Sequence, residues 1–107
     1  MVELTREQLL REEFHKQTAR ISWHDLQVHY AAGNVVRVGD ETDLVNVAVQ
    51  LGMDNTAQFE QWIADGEVAP VTDEDARRWY GSNQMMWAVV SPPWVLIQLD
   101  NSGRVSE

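Results

Sequence analysis

Three histidines are the side chains of this sequence best suited to metal chemistry, and their spacing decides whether they can act together. His24 and His29 fall on one predicted helix, five positions apart. A helical metal pair needs i, i+4 spacing to place both rings on one face, whereas a step of five residues turns by roughly 140°. His15 lies on another predicted helix, and the chain has no cysteine. We therefore predict no metal site and no cofactor, with these histidines structural or solvated.

Two acidic runs, Glu12-Glu13 and Asp73-Glu74-Asp75, raise the question of paired carboxylates for acid–base catalysis. Adjacent residues on a helix do not face each other, and acids in the first turn are favoured there by the positive end of the helix. The sequence has no glycine-rich phosphate loop, and none of its serines has the context of a nucleophile elbow. We predict no catalytic residue and expect a protein that is not an enzyme.

Arg20 and its neighbours are the candidate binding residues. Basic residues are few, with 8 Lys and Arg against 17 Asp and Glu. Beside Trp23 and His24, Arg20 could hold an anionic ligand or a partner, or could equally form a surface salt bridge worth ~0–1 kcal/mol. The chain also has five tryptophans, which we expect mainly in the core, although tryptophan is also enriched at partner surfaces.

The elements that would position these residues are organised around a C-terminal apolar hairpin. Met86–Val90 and Trp94–Leu99 are rich in β-branched and aromatic residues and flank Pro92-Pro93, which suits a turn. Both faces of these strands are apolar, so both need cover from helices or from a second copy. The apolar run is too short for the ~20 residues of a membrane helix. We therefore predict no membrane span.

The rest of the chain reads as helices with one further strand. Three helix caps are predicted: one by Thr5 together with Gln8, one by Ser22 and one by Thr72. Leu4 and Leu9 are predicted to form a hydrophobic staple across the first cap. Helix ends are expected at Gln17, Gly33, Gly66 and Gly81. Val35–Val38 is predicted to be a strand that pairs with the hairpin. Phe59, Trp62 and Ile63 form the apolar face of a further helix.

The segment 44–51 fits two patterns. Leu44, Val47, Ala48 and Leu51 follow a helical face, and Val45, Val47, Val49 and Leu51 follow strand alternation equally well. Its length and the acidic start at Asp40 favour a helix. The whole predicts an α+β fold, in which about three antiparallel strands are packed by four to five helices. We expect a single domain over 1–107, with a frayed tail at 101–107.

The charge balance excludes one class of function. The formal net charge is −9, and nucleic-acid binding needs a basic face to neutralise phosphates. We therefore predict no nucleic-acid partner. The first seven residues are too charged to begin a signal peptide, which predicts a cytoplasmic location.

Several segments resemble a family of short, uncharacterised bacterial proteins. The segments are Thr18–Trp23, Asp43–Val49, Trp87–Val90 and Pro93–Gln98, and the likeness covers nearly the whole chain. Such a family has no assigned activity, so the resemblance implies a bacterial cytosolic protein but transfers no catalytic residue.

These observations predict a non-enzymatic protein-interaction or regulatory module. Because both hairpin faces are apolar and the strand 94–99 has no feature that protects a sheet edge, we expect a homodimer through the hairpin, with Trp94 and Ile97 at the contact. The alternative is a small-molecule-binding protein or an enzyme with a site near Arg20, Trp23 and His24.

Overall fold

The computed structural model describes residues 5–100. The helices are α1 Arg6–Gln17, α2 Trp23–Ala31, α3 Leu44–Gly52, α4 Thr56–Ala64 and α5 Asp73–Ser82. The strands are β1 Ala19–Ser22, β2 Val35–Val38, β3 Val68–Pro70, β4 Met85–Ser91 and β5 Trp94–Leu99. The expected frayed tail at 101–107 and the staple through Leu4 lie outside the described residues. The α+β class is confirmed.

The sheet is larger than predicted, and it is mixed. Its order is β1-β4-β5-β2-β3, where five strands replace the expected three. β1 pairs antiparallel with β4, and β3 with β2. β2 runs parallel to β5, with Val36 opposite Leu96, so the prediction of an antiparallel sheet was wrong at this pair. A parallel pair needs a long crossover connection, and α3, α4, β3, α5 and β4 supply it here.

The hairpin is confirmed, but its place in the sheet was predicted wrongly. β4 and β5 are antiparallel, with Ser91 opposite Trp94 across the turn at Pro92-Pro93. β5 lies between β4 and β2 and therefore has no free edge. The edges of the described sheet are β1 and β3 instead, both only a few residues long. Pro70 is tolerated in β3 because proline, which cannot donate to a ladder, is confined to edge strands.

Helices of the chain itself cover both faces of the hairpin. On one face, Val89 and Leu96 pack with Phe14 of α1 and with the buried residues of α3. On the other face, Met86, Val95 and Ile97 pack with Trp23 and Leu26 of α2 and Trp79 of α5. The result is a three-layer arrangement of helices, sheet and helices.

Local capping follows the sequence closely. Thr5 and Gln8 form the predicted capping box, and the side chains of Ser22 and Thr72 accept from the amides of Asp25 and Asp75.

The segment 44–51, which fitted both a helix and a strand, is the helix α3, as predicted. The helices end where the sequence predicted, except at one glycine. Gly33 and Gly66 have positive φ angles of 79° and 78°, as a helix end requires. The prediction that Gly81 ends α5 was wrong. That helix continues through Ser82, and Asn83 adopts the left-handed conformation at φ 47°.

Candidate functional site

A groove beside Trp94 is the main apolar opening at the turn end of the hairpin. One cavity of about 320 Å³ lies between the start of α4 and the hairpin turn. A second, of about 300 Å³, lies between α4 and the neighbouring ends of β2 and β3. Phe59 and Trp94 line both cavities, so the two adjoin. We call this pair of cavities the Trp94 groove. Its apolar lining is Val35, Val36, Leu51, Phe59, Ile63, Val68, Ala69, Pro70, Pro92, Pro93 and Trp94.

Helix α4 forms one wall of the groove. Its N-cap Asn55 accepts a hydrogen bond from the amide of Gln58 at 3.3 Å, and Gly66 follows its end. Phe59 and Ile63, at i and i+4, lie on one face of the helix. None of its residues is fully buried, and Ile63 is 50% exposed. α4 therefore leaves part of its apolar face open to the groove.

Trp94 is the opposite wall. It is the first residue of β5, and its partner across the ladder is Ser91. Because side chains alternate along a strand, Trp94 shares a face with Leu96, which packs on the side of α1, α3 and α4. Trp94 is 38% exposed, and Pro92 and Pro93 beside it are also exposed. An exposed tryptophan in a concave apolar setting is a typical anchor for a partner.

The polar rim of the groove is acidic. Asp54 and Glu60 line the cavity at the start of α4, and both are exposed. Within the described residues, no lysine, arginine or histidine lines either cavity. The local charge therefore has the same sign as the net charge of −9.

The structure does not bring Arg20, Trp23 and His24 into one cavity. Arg20 forms an ion pair with Asp100, whose side chain is 1% exposed. Trp23 is 1% exposed and lines a cavity between α2 and α5 that neither Arg20 nor His24 lines. The ring nitrogen Nε2 of His24 lies 3.0 Å from the carbonyl oxygen of Tyr80.

The two hairpin candidates have opposite environments. Trp94 is exposed, whereas Ile97 is 0% exposed and packs among Trp23, Leu26 and Met86. Only Trp94 of the two is therefore placed where a partner could contact it in the folded chain.

Phe59 and Ile63 complete the groove, and the sequence predicted only that they lie on the apolar face of a helix. Their i, i+4 spacing is the same whether a helix is fully packed or only partly packed. The available signal was a tryptophan directly after Pro92-Pro93, where a turn places it at the surface.

The positions of the histidines and carboxylates between residues 5 and 100 bear on metal binding. Between residues 5 and 100, no group of three His, Asp or Glu side chains is close enough to hold a metal ion. Of the acids at the start of α5, Asp75 serves the fold, since it pairs with Arg37 at 3.4 Å and with Arg78 at 2.5 Å. No helix in this part of the chain is long and apolar enough to cross a membrane.

Fold and site together define a small α+β protein with an apolar, acid-rimmed groove. The chain belongs to the family described as "Protein of unknown function (DUF2288)", whose model matches residues 9–99. It is similar to PA1075 from Pseudomonas aeruginosa, a protein with an NMR solution structure, at 33% identity and a TM-score of 0.75. That match covers 99% of this chain and 93% of the other. None of the curated proteins compared with the chain matches it. The expected membership in a family without an assigned activity is confirmed.

Proposed function

We propose that this protein is a protein-interaction module that binds an apolar segment bearing lysine or arginine in its Trp94 groove. The observation that carries the proposal is the placement of exposed Trp94 and Ile63 around a concave surface with an acidic rim. The proposed role is binding, with no catalytic step.

The shape of the groove supports an extended or helical segment of a protein. The two cavities of about 320 and 300 Å³ adjoin at Phe59 and Trp94. Each lies at the lower end of the ~300–1,000 Å³ typical of ligand pockets. Two adjoining cavities can take two successive apolar anchors of one segment, as partner helices and strands present them.

The charge of the rim supports a basic partner over a second copy. Asp54 and Glu60 would face cationic groups beside the apolar anchors. Such charge complementarity speeds association and makes binding selective for a basic partner. A second copy of this chain also carries a formal charge of −9, so two copies repel each other at long range.

The homodimer predicted from the sequence remains a competing proposal for the same surface. Its original argument, an unprotected edge at β5, no longer applies because β5 is an internal strand. What the hairpin still exposes is its tip, including Val90 at 46% and Trp94 at 38%. A dimer through the hairpin would therefore contact this exposed tip, through Trp94 on one face or Val90 on the other.

The test is a titration of the protein with designed peptides. Binding is monitored by the NMR chemical shifts of the tryptophan indoles and by calorimetry. One peptide has two apolar anchors flanked by lysines, and its matched control has the same anchors flanked by glutamates. We expect the lysine peptide to bind more tightly, with shifts at Trp94. Trp94→Ala should weaken its binding by about ten-fold or more, the loss of one anchor residue.

Tyr80→Ala is the matched control, because Tyr80 is also an exposed aromatic but lies away from the groove. It should leave peptide binding unchanged. The double variant Asp54→Asn, Glu60→Gln should remove the preference for lysine over glutamate flanks. No binding at millimolar peptide, or equal loss in Trp94→Ala and Tyr80→Ala, would overturn the proposal. A dimer in light scattering that Trp94→Ala converts to a folded monomer would instead assign the groove to a second copy.

A further inference from the structure

A second concave surface lies between α2 and α5, on the face of the sheet opposite the Trp94 groove. It is a cavity of about 380 Å³. Trp23, 1% exposed, forms its floor, and Tyr30 and Tyr80 line it from the two helices. Gln27 and Arg77 supply its polar groups. We call it the α2–α5 cavity.

Contacts on both sides hold the aromatic walls of this cavity in place. The ring of Trp23 lies 5.4 Å from that of Tyr30 and 5.1 Å from that of Trp79, in tilted and edge-on arrangements. The hydroxyl of Tyr30 donates to Asp73 at 2.6 Å and so joins α2 to α5. The His24 ring packs against the Tyr80 ring with centroids 4.7 Å apart. The walls are therefore organised before any ligand arrives, which lowers the cost of binding.

Arg77 differs from the other arginines around α5. Arg37 and Arg78 both form ion pairs with Asp75. In the part of the chain that the structure describes, Arg77 forms no ion pair, and its Nε donates only to the backbone oxygen of Asp73 at 3.4 Å. Most of the guanidinium donors of Arg77 are thus available at the mouth of the cavity.

Asp73 is an acidic side chain that contacts one wall of the cavity. Asp73 accepts the Tyr30 hydroxyl and does not line the cavity. The hydrogen bond to Asp73 is the main cause that raises the pKa of Tyr30, and the charge of Arg77 opposes part of that rise. The Tyr30 hydroxyl and the Nε of Arg77 both contact Asp73, so they lie at the same end of the cavity.

We propose that the α2–α5 cavity binds a small planar aromatic carboxylate. The ring packs between Tyr30 and Tyr80, which line the cavity above the buried Trp23, and offset or edge-on aromatic contacts are favourable there. The carboxylate pairs with the guanidinium of Arg77, whose planar donors match two oxygens at once. The amide of Gln27 can donate a further hydrogen bond. This site is independent of the Trp94 groove and uses none of its residues.

The size and the charge of the site limit the class of ligand. A cavity of about 380 Å³ suits one or two fused rings and falls within the ~300–1,000 Å³ of small-molecule pockets. The net charge of −9 disfavours any anion at long range, so affinity must come from the local contacts with Arg77 and the rings. An uncharged aromatic amide keeps the ring contacts but loses the charged pair.

Naphthoate, benzoate and the uncharged naphthamide are the probes, titrated into the whole protein by calorimetry and two-dimensional NMR. We expect saturable naphthoate binding, with shifts at the Trp23 indole, and weaker binding of benzoate and naphthamide. Arg77→Gln should weaken naphthoate binding by about ten-fold or more, as loss of a charge-assisted hydrogen bond predicts. It should also abolish the preference for naphthoate over naphthamide.

Arg78→Gln is the matched control, since it removes a neighbouring exposed arginine that pairs with Asp75 and does not line the cavity. It should leave naphthoate affinity unchanged. Both arginines are exposed, so both variants should retain the wild-type NMR fingerprint. Trp94→Ala should bind naphthoate normally, which separates this site from the proposed peptide groove. No saturable binding, equal affinity in Arg77→Gln and wild type, or shifts that map to Trp94 would overturn the inference.

Discussion

The Trp94 groove and the α2–α5 cavity lie on opposite faces of one sheet and differ in how their walls are anchored. The α2–α5 cavity rests on Trp23 and Trp79, which are 1% and 2% exposed. The Trp94 groove is bounded by α4, which has no fully buried residue. The first surface is therefore fixed by the core, and the second is formed by an element that the core holds only in part. A fixed cavity suits a small ligand, whereas a loosely held wall can adjust to a polymer segment.

The largest expected effect is the difference between Trp23 and Trp94 in their contribution to the free energy of unfolding. Trp23→Ala removes a buried indole and should lower the free energy of unfolding by about 3–5 kcal/mol. Trp94→Ala removes a partly exposed indole and should cost less than about 1 kcal/mol. Urea unfolding of both variants measures the difference. Equal losses would show that Trp94 belongs to the core as fully as Trp23, and would contradict the proposed difference between the two surfaces.

Helix α4 should open more readily than α2 and α5. Nine residues are too few for a helix to be stable without tertiary packing, and α4 packs without a fully buried side chain. Native-state hydrogen exchange should therefore give its amides an opening free energy about 1–2 kcal/mol or more below that of α5. Equal protection of the two helices would mean that the groove wall is as rigid as the cavity wall.

Two glycines near these surfaces should respond to alanine in opposite directions. Gly33 lines the Trp94 groove at φ 79°, where a Cβ meets no atom within 4 Å but the backbone is left-handed. Gly33→Ala should cost about 1 kcal/mol. Gly81 lies inside α5, also with open space around it, so Gly81→Ala should stabilise by about 0.5–1 kcal/mol. Thermal melts compare the two, and a destabilised Gly81→Ala would contradict the helical placement of that residue.

The smallest effect concerns Tyr30 and pH. The hydrogen bond to Asp73 is the main cause that raises the pKa of Tyr30 above its ordinary value of 10.0. Because the pKa of Tyr30 is raised in the folded state, the contact contributes its full stabilisation below the unfolded-state pKa. That stabilisation is lost as pH rises through the folded-state pKa. Ultraviolet titration should show Tyr30 ionising later than in Asp73→Asn. Identical titrations of the two proteins would show that the contact does not join α2 to α5 in solution.

The hairpin and most of the helices could be predicted because their signals are local. The β-branched runs that flank Pro92-Pro93 predict a β-hairpin. Ser22 or Thr72 before an amphipathic segment predicts the start of a helix. β1 and β3 carry no such signal. Each has four residues or fewer, and Arg20 and Pro70 within them do not favour a strand. The parallel pairing of β2 with β5 depends on the path of the chain between them, which no local pattern records.

The candidate sites show the same limit. Trp94 could be singled out because tryptophan is enriched at interfaces, but Ile97 looks equally suitable in sequence and is buried by α2 and α5. Arg77 was overlooked because an arginine in a charged helix gives no signal by itself. Its availability follows from the geometry of Asp75, which pairs with Arg37 and Arg78.

The internal position of β5 has a consequence for the order of folding during synthesis. β5 is the last of the five strands to leave the ribosome, yet it joins β4 to β2, and so connects the two edge strands. Until residues 94–99 have emerged, β2 and β3 can pair only with each other, and β1 and β4 likewise. Two-stranded units are marginally stable by themselves. The nascent chain therefore lacks its continuous sheet until residues 94–99 have emerged, and its apolar strands are exposed to chaperones over that interval.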